Sequence, residues 1–214
     1  MKKALVLLTC FSALLLFYCK DKSGTETSKS EETVTENEVK SDADKEVSET
    51  AVNNVKWEER KQRGDTLAMP YKDLQQYLPE VSGYSGRGAP KGSQVNVPGM
   101  GSWSQTEQQF ENGDKRLKIS IFDYNSSRQA FVGLTSMYGM GFSFEDDTKK
   151  QAPVALAKKG VSAYATIYKN EPRADMIMVV SDRFIVHVES EGENGEDFLK
   201  SVAGNIKLEE LAAK

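Results

Sequence analysis

Two strand-like runs joined by an Asn-Gly turn constrain this chain more than any other stretch of it. Residues 102–110 and 115–124 are linked by Glu111-Asn112-Gly113-Asp114, and Asn-Gly between extended segments is a strong hairpin signal. The second run alternates, with Leu117, Ile119 and Ile121 on one face and Lys118 and Ser120 on the other, as a half-buried strand does. The first run is polar apart from Trp103 and Phe110, which places it toward a sheet edge.

More strands follow. Residues 151–156 read as an edge strand because Pro153 lacks the amide a ladder needs. Gly160 opens a better strand, in which Tyr164, Thr166 and Tyr168 alternate with Ala163, Ala165 and Ile167. Residues 175–180 and 184–189 form two more, joined by Ser181-Asp182-Arg183, residue types that turns favour.

Helical spacing appears in three places. Tyr71, Leu74, Tyr77 and Leu78 recur on one face between Pro70 and Pro79, a short amphipathic helix. Beyond a cap at Asn125 or Ser126, Ala130, Phe131, Leu134, Met137 and Tyr138 form a stripe expected to face the core. In residues 196–206 the set Phe198, Leu199, Val202, Ala203 and Ile206 does the same, with a weakly amphipathic tail at Leu208 and Leu211. Residues 82–101 hold six glycines and two prolines and are expected to be a long surface loop. Within it Gly86-Arg87-Gly88 lacks the strand, helix and lysine of a phosphate-binding loop.

Runs of adjacent strands with tight turns and few helices imply an α+β domain. The expectation is an antiparallel sheet of about five or six strands flanked by two or three amphipathic helices. By element order this resembles the PsbP/Mog1 layout, an analogy of fold that implies no activity. The stretch 74–211 also resembles an uncharacterised family of exported bacterial proteins. The matching pieces are Leu78-Pro79 with Gly83-Tyr84, Met100-Gly101 with Ser104-Gln105, Ile119 and Ile121 with Asp123, the run Ser181 through Val186, and Ile206 to Leu211.

The N-terminal end has a different character. Lys2 and Lys3 precede an apolar run from Ala4 to Tyr18 that is too short to span a bilayer as a helix, and Cys19 stands at the junction with the polar Lys20-Asp21-Lys22-Ser23, the form of a secretory signal. An ordinary signal peptide with a chance cysteine, or an uncleaved anchor, shares these features. The junction cysteine resembles that of bacterial lipoproteins, although Phe17 and Tyr18 stand where smaller residues are usual. That resemblance implies a signal peptide over 1–18, lipidation of Cys19, and a place in the bacterial cell envelope, in the outer membrane where the host has two.

From Lys20 to Lys56 Ser, Thr, Glu, Asp and Lys dominate, with no aromatic before Trp57. Such a composition cannot bury enough surface to offset the entropy of ordering it. Residues 19–56 therefore read as a flexible tether with a reach on the order of 30 to 40 Å, and 57–214 as a single α+β domain.

Most chemistries find no residues here. Both cysteines, Cys10 and Cys19, lie in the signal region, and His187 is the only histidine, so histidine-based metal sites have no ligands and no cofactor is expected. His187 shares its strand face with Ile185 and Glu189 and reads as a partly exposed structural histidine. No Gly-x-Ser-x-Gly elbow occurs. A net charge of -4 gives no footprint for nucleic acid. The adjacent Glu145, Asp146 and Asp147 lack the interleaving of a calcium loop. The expected role is a non-enzymatic, lipid-anchored binding or accessory module engaging an envelope protein or an apolar ligand, with Asp182, Arg183 and Trp103 as the candidate interaction surface. The alternative is an envelope hydrolase with a carboxylate-based site.

Overall fold

The computed structural model describes residues 56–98 and 101–214. The signal segment, Cys19 and the tether up to residue 55 lie outside the described residues. A helix covers residues 56–62 (α1) and ends at Gly64, whose φ of 78° is open to glycine at little cost. Next come α2, Tyr71–Leu74, and a 3-10 turn, Gln75–Tyr77. The strands are β1 (Ser85–Gly86), β2 (Lys91–Val97), β3 (Gly101–Asn112) and β4 (Lys115–Asp123). Helix α3 (Arg128–Gly139) separates them from β5 (Phe144–Glu145), β6 (Lys149–Val154), β7 (Val161–Tyr168), β8 (Arg173–Val180) and β9 (Phe184–Glu191). Helices α4 (Glu196–Asn205) and α5 (Leu208–Ala212) follow.

The fold is mixed α+β, and its sheet is larger than the five or six strands expected. Nine strands run in the order β1-β3-β4-β9-β8-β7-β6-β5, with β2 on the same side of β3 as β1. Every pairing is antiparallel. Part of the excess comes from the stretch 82–101, which is no plain loop: β2 pairs with β3 from Lys91↔Glu107 to Val97↔Gly101. β3 therefore lies one strand in from the edge. Gly92 permits this pairing, because a side chain there would run into the Tyr71 ring. The stretch after α3 likewise supplies β5, which pairs with β6.

The β3–β4 hairpin closes more tightly than four residues, since Asn112 pairs with Lys115 and leaves Gly113 and Asp114 as the loop. Gly113 has φ 58°, at the position where a type II′ turn takes glycine.

Alternation then sorts the side chains. One face carries Leu117, Ile119 and Ile121 of β4, Val186 and Val188 of β9, Met176 and Met178 of β8, and Ala163 and Ala165 of β7, all buried. Leu199, Val202 and Ala203 of α4, Leu208 and Leu211 of α5, and Leu74 and Tyr77 near α2 close over it as one core. Each large aliphatic chain buried there contributes about 1.5–3 kcal/mol. The apolar face of residues 196–206 is buried as its spacing predicts, and the weakly patterned tail at Leu208 and Leu211 proves equally deep.

Candidate functional site

The second face of the sheet is graded from apolar to charged. Strand register sets out three rows across β4, β9 and β8. Phe122 faces Ile185, which faces Val179; Ser120 faces His187, which faces Ile177; Lys118 faces Glu189, which faces Asp175. At the charged end Lys118 pairs with Glu189. Asp175 accepts from Arg173 at 3.1 Å and from the Tyr168 hydroxyl at 3.1 Å, while the Arg173 guanidinium stacks 4.6 Å from the Tyr168 ring. A small cleft of about 190 Å³ opens beside this end, with Arg87, Arg116, Lys118, Glu189 and Glu191 in its walls.

Among the described residues α3 lies over this face. Its inward residues are Phe131, whose ring is 6.3 Å from Tyr124, and Tyr138, whose ring is 5.1 Å from Tyr164 and whose carbonyl accepts from the Tyr164 hydroxyl. The stripe read from the sequence is corrected here. Leu134 and Met137 are more than half exposed and Ala130 is exposed too, so Phe131, Thr135 and Tyr138 form the inner line. Outward the helix and the turn after it present Val132, Leu134, Met137, Met140, Phe142 and Phe144, each between 39% and 64% exposed. Six exposed large apolar side chains within thirteen residues mark a candidate interaction site. Trp103, at 37% exposed, lies on the same sheet face as Phe122 by its alternation with Gln105.

His187 sits midway on the gradient with its side chain 29% exposed and Nδ1 3.8 Å from Glu189. Burial penalises the charged ring and pulls its pKa below the ordinary 6.5. Glu189 and Asp175 push it back up, while Lys118 and Arg173 add to the lowering. Between the folded pKa and 6.5 the unfolded chain binds more protons than the folded one, so stability falls as pH drops through that window. Urea unfolding at pH 7.5 and at pH 5 is expected to show a smaller acid loss in His187→Gln than in the parent chain. An equal loss in both would show that the ring carries none of it.

The hairpin tip Asp182-Arg183 is not the exposed polar spot expected of it, for Asp182 and Arg183 are 3% and 4% exposed. The segment 56–70 folds over them. Arg60 makes a two-pronged bond to Asp182 at 2.8 and 3.0 Å and reaches Asn125 at 2.8 Å. Arg183 binds Asp123 at 3.0 and 2.8 Å and Asp65 at 2.9 Å. Burial opposes the charge on Arg183, but its bonds to Asp123 and Asp65 prevail and its pKa lies above the ordinary arginine value. Asn125 donates to the carbonyls of Asp65 and Leu67. This network ties α1 and the chain after it to the ends of β4 and β9. Sequence reasoning passed over Arg60 and read Asn125 only as a helix cap, whereas the cap of α3 is Ser127; the one legible signal of Asp123 and Asn125 in this role was polar residues next to an apolar strand end.

Glu145, Asp146 and Asp147 are exposed. Hydrogen bonding to Lys169 lowers the pKa of Glu145, and bonds from Thr148 and Lys149 lower that of Asp146. A hydrolytic general acid needs the opposite shift. Among the described residues no group of three His, Cys, Asp or Glu side chains is placed to hold a metal ion. An open cleft of about 700 Å³ lies between Leu78, Val81, Tyr84, Gln108 and Phe110, bordered by the glycine-rich stretch around β1. No protein-family model matches the chain, and no curated protein matches it either.

Proposed function

We propose that this chain is a lipid-anchored protein of a bacterial cell envelope, its folded part a non-enzymatic binding or accessory module that works through the second sheet face. The observation that carries the binding role is the uneven cover of the sheet. One face is closed by α2, α4 and α5, whereas among the described residues the other is packed by α3 and keeps a graded, half-open surface. Its partner is an envelope protein or an apolar ligand, and the exposed Trp103 belongs to the contact surface. We infer a layout of the PsbP/Mog1 kind, supported by the antiparallel sheet with helices packed on it. The likeness of 74–211 to exported bacterial proteins belongs to the same reading. Anchoring is supported by Lys2, Lys3, the apolar run and Cys19 at its polar border. Among the described residues no helix is long and apolar enough to cross a membrane.

Mass spectrometry of the mature N-terminus tests the anchor. The expected product begins at an acylated Cys19, and Cys19→Ala is expected to move the protein from the membrane pellet to the soluble fraction. An intact Met1, or a cut elsewhere, overturns the claim. Crosslinking in the native envelope followed by co-purification tests the binding role, with crosslinks expected at Trp103 and on the second face.

A further inference from the structure

We propose that the outer side of α3 and the turn after it seat on the surface of a lipid bilayer. The inference rests on the anchored reading for the approach to the membrane, but the contact is argued from the helix itself. Residues 129–144 contain no charged side chain, while Val132, Leu134, Met137, Met140, Phe142 and Phe144 face outward.

Two of the segment's polar side chains are turned back on it. Thr135 donates to the Phe131 carbonyl at 2.8 Å and Ser136 to the Gly133 carbonyl at 3.4 Å. A protein interface carries roughly one hydrogen bond per 100–200 Å² and a polar rim, and toward these the segment offers little beyond the exposed Gln129 and Ser143 at its two ends. An apolar layer asks only that backbone groups be satisfied internally, as a helix satisfies them. Lying flat with its apolar side in the headgroup boundary is what such a helix does at a membrane.

The place where the chain enters the fold agrees. Lys56 begins the described chain in α1, and the Trp57 ring of that helix lies 5.8 Å from the guanidinium of Arg128, the first residue of α3. A helix of α3's twelve residues is about 18 Å long, well inside the 30 to 40 Å reach expected of the tether. The described chain thus begins beside the N-terminal end of α3. Glu145, Asp146 and Asp147 follow directly, with Lys169 on Glu145 and Lys149 5.9 Å from the Phe144 ring, so acids and bases offset one another at this border and the contact gains little from anionic lipid.

Two preparations test this. The first is the mature polypeptide from residue 19 with Cys19→Ser, which cannot be lipidated, mixed with vesicles of phosphatidylcholine alone. It is expected to float with the vesicles, no more strongly when phosphatidylglycerol is added. Met137→Asp with Met140→Asp is expected to lower its partition about tenfold or more, with near-UV circular dichroism unchanged because both side chains are exposed. The second is the lipidated protein with an environment-sensitive dye on Met137→Cys, expected to shift to the blue on vesicles.

Failure to float, or a paired substitution that leaves partition unchanged, overturns the inference. So does light scattering that shows a dimer lost in the paired variant while vesicle binding persists. A lipidated Cys19 with no blue shift overturns it and leaves the anchor standing. An unlipidated N-terminus on a chain that still floats removes the anchor and leaves the bilayer contact standing.

Discussion

Asp123→Ala is expected to destabilise the fold by about 3–5 kcal/mol, the cost of leaving a buried charge without its partner. Asp123 is fully buried at the end of β4. It receives two bonds from Arg183, one from the Met69 amide at 2.7 Å and one from the Asn125 amide at 2.9 Å. Alanine would leave the buried Arg183 guanidinium with Asp65 alone and orphan two amides together. Denaturant unfolding measures the loss, and a loss under about 1 kcal/mol, typical of an exposed pair, would show that water reaches the network. Replacing both members, Asp123→Leu with Arg183→Met, is expected to cost clearly less than the alanine substitution, because well-packed apolar pairs often match buried ion pairs in stability.

Gly101→Ala is the second large effect, expected at about 2–5 kcal/mol from backbone strain and overpacking together. Gly101 has φ 111°, a conformation that a side chain resists. A Cβ there would stand 2.9 Å from the Ser126 hydroxyl and well inside contact with the Ser126 carbonyl oxygen. That hydroxyl accepts from the Ser102 amide at 2.5 Å, so the seryl group cannot retreat without breaking a bond that orders the start of β3. Thermal unfolding should show a clear drop in Tm. Gly133→Ala is the control, since nothing lies within 4 Å of a Cβ at that helical position, and it is expected to be neutral or mildly stabilising.

How much of this was legible differs by element and for physical reasons. The β3–β4 hairpin and α4 were plain, because each pairs a strong local signal with a clean period: Gly113 in the turn, Leu199, Val202 and Ala203 on one stripe. β2 was hidden because Lys91-Gly92-Ser93-Gln94 has no β-branched residue and the alternation of Val95-Asn96-Val97 stops at once at Pro98. It is a strand because the edge of β3 supplies hydrogen bonds and Tyr71 fits over Gly92. Helix α3 misled in another way. Its apolar residues are enough for two faces, and periodicity does not tell which face a sheet will take. Tyr124 and Tyr164 decide that through Phe131 and Tyr138.

For the candidate site, alternation put His187 beside Glu189 on the second face, but strand order was needed to bring Ser120, Asp175 and Lys118 to them. The buried tip of the β8–β9 hairpin was illegible. Asp182-Arg183 reads as an ordinary solvated turn until Arg60, over a hundred positions earlier in the chain, is folded onto it.

That clamp has a mechanical consequence. A pull applied at Lys56 would pass along α1 to Arg60 and reach the molecule through the paired bonds to Asp182. Behind it stand the amide of Ala68 on Ser102 and that of Met69 on Asp123. Load entering there is delivered to β4 and β9, which have neighbouring strands on both sides, so several ladders would share it before any one could unzip. The short outer strands β1 and β5 lie off that line of force, and the module can be tugged from its N-terminal side while its second face keeps its shape.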